Sequence, residues 1–324
     1  MTEHVGIVVI GRNEGERLRI CLESVLDSGR VVYVDSGSTD NSVNIAKQLG
    51  VDVVNLDISI PFTAARARNE GFFQLRKLAP DLEFIQFVDG DCEVVKGWID
   101  HALTHLKQYS DAGVVCGRRR ERYPDASVYN MLCDIEWNTA IGEAKACGGD
   151  ALFRLNVFEQ AGGFNPDVIA GEEPELCVRI RKNGWKIWRI NEEMTLHDAN
   201  IMRFNQWWTR NVRAGYAYAL GAQMHGAAPE LHKISEIRRT RLWAAWFPMT
   251  ITLAAAINTV FLLCVIIYPL QILRISLMKR NTLKHNWSYA FFITLGKFPE
   301  MQGQVKFYIN KLFKSRSKII EYKK

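Results

Sequence analysis

No C-x-x-C pair occurs in the 324 residues, and the seven cysteines (Cys21, Cys92, Cys116, Cys133, Cys147, Cys177, Cys264) are odd in number and scattered. That spacing argues against both a zinc site and a disulfide framework, so the thiols read as reduced, in a cytosolic setting. No G-x-G-x-x-G follows the first apolar run and no Walker loop is present, which disfavours a dinucleotide fold and a P-loop enzyme. A signal peptide is not expected either. Residues 5–10 are too short for its apolar core, and Gly11-Arg12-Asn13-Glu14 follows at once. The body is therefore expected to stay on the side of the membrane where it is made. Basic residues clustered with aromatics on the folded part are also missing, so nucleic acid is not an expected partner.

What is present is a hydrophobic content of 48%, enough for a sizeable core, and a divided charge. From His232 to the end there are sixteen Lys/Arg against three Glu, or +13. The preceding residues hold twenty-five basic and thirty-two acidic side chains, or −7. A mildly acidic body with a basic, apolar tail points to an anionic membrane surface. The expected division is a body over 1–231 and a helical tail over 232–324.

Along the body, continuous apolar runs at 5–10, 31–34, 51–56, 84–88 and 113–116 read as buried strands. Between them, residues 18–26, 43–49, 63–78 and 98–109 carry apolar residues at helical spacing. Strand and helix in alternation with short polar joins predict βαβ units and a mostly parallel sheet. The fourth run, FIQFVDGDCE at 84–93, stops at two carboxylates, Asp89 and Asp91, separated by Gly90. In an open α/β sheet the carboxyl ends of the strands are where ligands bind. Two carboxylates that close repel unless something positive sits between them, and a hard divalent cation carrying a diphosphate suits them. An Asp-Gly turn after a strand is the plainer alternative.

The neighbours decide between the two. VVIGRNEGERLRICLESV, VVYVDSGSTDNS, AARARNEGF, FVDGDCE, GGDALFRLNVFEQAGGF and GEEPELCVRIRKNGW occur in the order and spacing of family 2 of the glycosyltransferases. The resemblance covers about residues 5–200. It implies the GT-A fold and an inverting transfer of a sugar from a nucleotide-diphosphate donor, helped by Mg²⁺ or Mn²⁺. By that resemblance Asp91 ligates the cation, and Asp89 binds ribose or helps hold the metal. Asp35, with Gly37 allowing close backbone approach, favours the nucleotide, and Glu14 is a weaker candidate for the same task. Arg68 is expected to meet the donor phosphates or Asp89. Gly149 and Asp150 are placed near the donor sugar.

Glu172-Glu173-Pro174 opens a helix, with Pro174 at its first position and Glu173 as the N-cap. The family carries an acidic pair here, often Glu-Asp, of which one member deprotonates the acceptor. Glu173 is the expected base, with Glu172 in reserve. His197 is a further candidate metal ligand, with Asp198 able to orient it. Processive synthases of the family carry Q-x-x-R-W near Gln206. Here Arg210 falls one place late, so a non-processive enzyme is expected, with Arg210 and Arg213 sharing a helical face toward a diphosphate. Trp207 and Trp208 read as core or interface aromatics, and the run Arg118-Arg119-Arg120 with Arg122 as a solvated patch or a contact for an anionic acceptor.

In the tail, residues 242–273 are mostly apolar between Arg238, Arg239 and Arg241 on one side and Arg274, Lys279 and Arg280 on the other. Basic flanks at both ends conflict with one crossing. Arms of about fifteen residues reach only about 22 Å, which suits a re-entrant or interfacial hairpin. Two amphipathic segments follow, the second including Lys306, Phe307, Lys311 and Lys314. The whole reads as a transferase at the cytoplasmic face of the inner membrane, acting on a lipid-linked acceptor in surface polysaccharide or glycolipid assembly. A nucleotide-sugar-binding scaffold and a processive synthase are the rival readings.

Overall fold

The computed structural model describes residues 4–313; Lys314 and the rest of the C-terminus lie outside the described residues. The chain divides into two compact units, 1–200 and 201–324. The division falls earlier than the charge shift at His232, because the helix before that shift packs with the tail helices.

The first unit runs β1 (Val5–Gly11), α1 (Glu16–Glu23), β2 (Arg30–Asp35), α2 (Ser42–Gln48), β3 (Asp52–Asn55), α3 (Ala64–Leu78), β4 (Phe84–Asp89), β5 (Cys92–Val94) and α4 (Trp98–Gln108). It continues through β6 (Ala112–Glu121), α5 (Val128–Trp137), β7 (Gly142–Ala144), β8 (Ala151–Arg154), α6 (Leu155–Gln160), α7 (Glu172–Lys182) and β9 (Lys186–His197). The strands form one sheet in the order β3-β2-β1-β4-β8-β6-β9-β5, with β7 also on β9. Strands β3, β2, β1 and β4 are parallel, as their continuous apolar runs imply. Beyond β4 the sheet is mixed. β8 is antiparallel to β4 and β6, β6 is parallel to β9, and β5 and β7 are antiparallel to β9. The expected mostly parallel sheet is thus corrected to a mixed one in its second half, where β8, β5 and β7 run against the strands they pair with.

Register aligns the functional ends. Gly11 pairs with Asp35 across β1 and β2, and Ile10 with Asp89 across β1 and β4. All three strands therefore stop on one edge. Phe87, Phe153, Phe158 and Phe164 pack with ring centroids 5.1–5.9 Å apart behind that edge. Strand β6 outruns its expected end at residue 116, and β9 is longer still. β6 extends through Arg118–Glu121 and β9 through His197, since strand pairing there carries charged side chains that apolar periodicity does not register.

In the second unit α8 (Phe204–His225), α9 (Ile234–Arg241), α10 (Phe247–Ile257), α11 (Ile267–Lys279), α12 (Asn286–Leu295) and α13 (Lys297–Leu312) follow. α8 and α13 cross in backbone contact: a Cβ on Gly303 would lie 2.0 Å from the Val212 carbonyl oxygen. Glu300 is buried there and accepts Thr240 Oγ1 at 2.5 Å and Lys297 Nζ at 2.7 Å. Trp207 is buried against Phe292, with centroids 5.0 Å apart, and Trp208 donates to Gln302 at 2.8 Å. Between α9 and α10 the helix widens at Leu242–Trp246, ahead of Pro248, which supplies no N–H to a regular ladder. After α10 the backbone turns extended at Asn258, whose side chain accepts from Val260 N, and a tight helical stretch Thr259–Ile266 returns into α11. Tyr268 then donates to the Trp243 carbonyl at 2.7 Å, so the chain has reversed on itself as a hairpin.

Candidate active site

Arg68 is the hub. α3 starts at an N-cap, Thr63, whose hydroxyl accepts from Arg66 N, and one turn on it buries Arg68 at 2% exposure. The guanidinium meets Asp89 Oδ1 at 2.7 Å, Glu172 Oε1 at 3.0 Å and Glu173 Oε1 at 3.1 Å. Burial works against its charge, but Glu173, Asp89 and Glu172 outweigh that and hold the pKa above the ordinary value. For Asp89, burial pushes the carboxyl up, while Arg68 and then Arg119 outweigh it and hold it down. Asp89 is therefore an ionised acceptor pinned from two sides.

Gly149 lies at the centre of this group. A Cβ there would come 2.6 Å from Arg68 Nη2, 2.8 Å from Asp89 Oδ2 and 3.1 Å from Glu173 Oε1. Only a hydrogen leaves those three groups room. Helix α7 begins at Glu172, two residues before the expected start, because Gly171 at φ 81° serves as its N-cap in a conformation glycine adopts without strain. Both glutamates thus sit in the first turn. Glu172 is 5% exposed and committed to Arg68, whereas Glu173 is 16% exposed. Burial, then the negative charge of Glu172, pushes Glu173 up to about 7. Such a carboxyl exchanges protons near neutrality, which suits a general base.

Asp150 departs from its expected role. It has no exposed surface, and its oxygens accept Asp89 N at 3.0 Å, Thr195 Oγ1 at 2.9 Å and Arg119 Nη2 at 2.7 Å. It ties β4, β6 and β9 together rather than facing a sugar. Asp35 likewise is 3% exposed and accepts from the Tyr33 hydroxyl and from Gly37 N and Ser38 N, at 2.8–2.9 Å. It shapes the loop after β2, in which Gly37 has φ 84°. Glu14 sits beside Gly90, where a Cβ would be 3.4 Å from its Cγ, and pairs with Arg17 at 2.7 Å.

Asp91 and His197 form the second cluster. β5 and β9 pair Cys92 with His197, which brings His197 Nε2 to 3.1 Å from Asp91 Oδ2, both side chains buried. Adjacent ligands of an octahedral cation at about 2.1 Å lie about 3 Å apart, so this pair fits neighbouring positions on Mg²⁺ or Mn²⁺. Cys92 is close enough to join the group. Burial raises its thiol pKa well above the ordinary value, so it stays protonated and is a poor ligand for a hard ion.

The arginine run divides. Arg118 pairs with Asp134, Arg120 with Glu193 and Arg122 with Glu93, at 2.6–2.9 Å, so these three are neutralised rather than offered to an anionic acceptor. Arg119 alone turns into the site, to Asp150 and, at 3.4 Å, to Asp89. Sequence reasoning missed its place in the site, and that of Trp137, whose ring lies tilted against His197 and beneath the Arg119 guanidinium. Arg66 donates to the carbonyls of Asp57 and Ile60. Arg210 and Arg213 stand on α8, in the second unit.

Residues 6–148 match the model of the family described as Glycosyl transferase family 2. Over 211 residues the chain is 26% identical to glycosyltransferase AglE of Haloferax volcanii, a match covering 60% of this chain and 67% of that protein. Over 185 residues it is 24% identical to the O-antigen chain rhamnosyltransferase WbaN of Salmonella anatum, covering 53% of this chain and 57% of that one. The latter match spans little more than half of the relative's length. Among solved structures, mannosyltransferase PcManGT from Pyrobaculum calidifontis, in complex with GDP-Man and Mn²⁺, is similar with a TM-score of 0.66 and 19% identity, over 96% of this chain and 88% of that chain. At that identity the likeness speaks for the fold, which is GT-A. With the family's pattern over residues 6–148 and the GT-A fold both in place, the chain carries a domain of glycosyl transferase family 2 and is a glycosyltransferase.

Proposed function

We propose that this protein moves a sugar from a nucleotide-diphosphate donor to an acceptor hydroxyl with inversion, one residue at a time, in surface polysaccharide or glycolipid assembly. The observation that carries the reading is the linkage of Glu173 to Asp89 through Arg68. One buried cation holds the base and the strand end that meets the donor in a single network. The rhamnosyl and mannosyl transfers named for two relatives support the substrate class.

In this mechanism Glu173 takes the acceptor proton at Oε as the acceptor oxygen bonds to the anomeric carbon. The bond from that carbon to the diphosphate oxygen breaks, and the nucleoside diphosphate leaves. Glu172 keeps Arg68 in place, and Arg68 and Arg119 keep Asp89 ionised toward the donor ribose. Asp91 and His197 would hold Mg²⁺ or Mn²⁺, which supplies Lewis-acid stabilisation of the leaving diphosphate. Incubating the purified protein with Mn²⁺ and a panel of nucleotide sugars tests the reading. Donor turnover that Asp91→Ala abolishes is expected. Binding without turnover would favour a scaffold, and a ladder of long products a processive synthase.

The hairpin supports attachment to the cytoplasmic membrane face. Leu253, Ile257, Leu263 and Ile266 are 60–86% exposed around its tip. Thr259–Lys279 is long and apolar enough to cross a membrane, with a mean hydropathy of 2.2. The first arm, from Trp243 to Asn258, reaches about 22 Å at 1.5 Å per residue, less than the ~30 Å hydrocarbon core. We read the hairpin as entering one leaflet, with the arginines at its feet among anionic headgroups.

A further inference from the structure

We propose that Trp137 orients the His197 imidazole for metal binding, in place of the hydrogen bond that ordinarily does so. The inference rests on the reading of Asp91 and His197 as metal ligands. A metal-binding histidine almost always donates its second ring N–H to a carboxylate, a carbonyl or water, and that bond sets both tautomer and ring angle. In His197, Nε2 faces Asp91 at 3.1 Å, while Nδ1 is buried and has no hydrogen-bond partner among the described residues. What meets the ring is aromatic. The Trp137 centroid lies 4.6 Å from the imidazole centroid, with the planes inclined at 48°.

Trp137 is itself held firmly enough to serve as a template. It is the last residue of α5, which starts at a Ser127 cap. Asp134, one turn earlier, accepts Arg118 Nη2 at 2.9 Å and Glu121 N at 3.0 Å. Asn130 donates to Glu121 Oε1 and to the Tyr123 carbonyl, both at 3.2 Å. These bonds clamp the helix to the end of β6, where Glu121 is the register partner of His197 on β9. The indole also lies 5.5 Å from the Arg119 guanidinium, a cation–π contact that ties it to the group pinning Asp89. One side chain thus braces the metal-ligand side and the donor side together. Trp137 is a positioning residue, acting through His197.

The test is Mn²⁺ binding to the full-length protein, read as free Mn²⁺ by EPR, with and without GDP or UDP. Asp91→Ala and His197→Ala are expected to abolish the site. Trp137→Ala and Trp137→Leu are expected to weaken Mn²⁺ about 10-fold or more, the usual loss when an outer partner of a ligating histidine is removed. Trp137→Phe, which keeps a ring, is expected to stay within about threefold, the scale of a partial repacking. In the transfer assay the Trp137→Leu variant should need about 10-fold more Mn²⁺ for half-saturation while keeping a melting temperature close to that of wild type. A merely structural defect would instead lower kcat and the melting temperature together. Wild-type Mn²⁺ affinity in Trp137→Ala and Trp137→Leu would overturn the inference while leaving the metal reading intact. Wild-type affinity in His197→Ala would overturn the metal reading, and this inference with it.

Discussion

Glu173 is the residue whose protonation state decides the rate. With its pKa pushed to about 7 by burial and by Glu172, the ascending limb of kcat/KM against pH should have its midpoint near 7. Glu173→Gln should lower kcat by about 10²–10⁴-fold while donor binding persists, measurable by calorimetry on the variant. Stability follows the same shift. A carboxyl whose folded pKa exceeds its ordinary 4.5 contributes stability that is fully present below 4.5 and is lost as pH rises through about 7. The glutamine variant lacks that loss, so it should melt above wild type at pH 8, with the difference shrinking as pH falls to 4.5. Arg68 is the counterpart. Arg68→Met leaves Asp89, Glu172 and Glu173 buried together without their cation, and should cost about 3–5 kcal/mol in urea denaturation.

Among the elements, the join before β8 is the one that meets three site side chains at once. A methyl on Gly149 would press on Arg68, Asp89 and Glu173 at once, at 2.6–3.1 Å. All three are side-chain ends that can swing away, so Gly149→Ala should fold nearly as well as wild type yet lose activity at least tenfold, as a misplaced base does. Melting curves beside initial rates separate the two effects. Helix α7 also carries Cys177, whose sulfur lies 3.5 Å from that of Cys147 just before the Gly148-Gly149 pair. Both are buried free thiols and pack the helix against the join.

For the molecule as a whole, the seven cysteines offer a direct reading of membrane attachment. Cys264, near the hairpin tip, is exposed, and the other six are buried. In detergent-free buffer a water-soluble maleimide should label one thiol quickly, Cys264. On vesicles containing phosphatidylglycerol that labelling should fall several-fold, because the hydrocarbon core excludes a polar reagent. Leu263→Glu should restore labelling and weaken co-sedimentation with the vesicles, since a charge at that depth is costly. Undiminished labelling on vesicles would remove the leaflet proposal.

The local pattern by itself determined the four parallel strands, the two aspartates at the end of β4, the acidic pair on α7 and the apolar stretch of the tail. In each case the signal is carried by neighbours in the chain: an apolar run, a charge that stops it or a helix start. Tertiary structure decided the rest. β6 and β9 extend through charged residues because pairing partners, not hydrophobicity, hold them there, and the sheet turns mixed because β8 pairs antiparallel with both β4 and β6, strands distant from it in the chain. Asp150 became a clamp, Arg119 a site residue and Arg118 a paired one for a common reason. Which charge faces which is settled by strand register across dozens of residues, and no spacing along the chain encodes that distance.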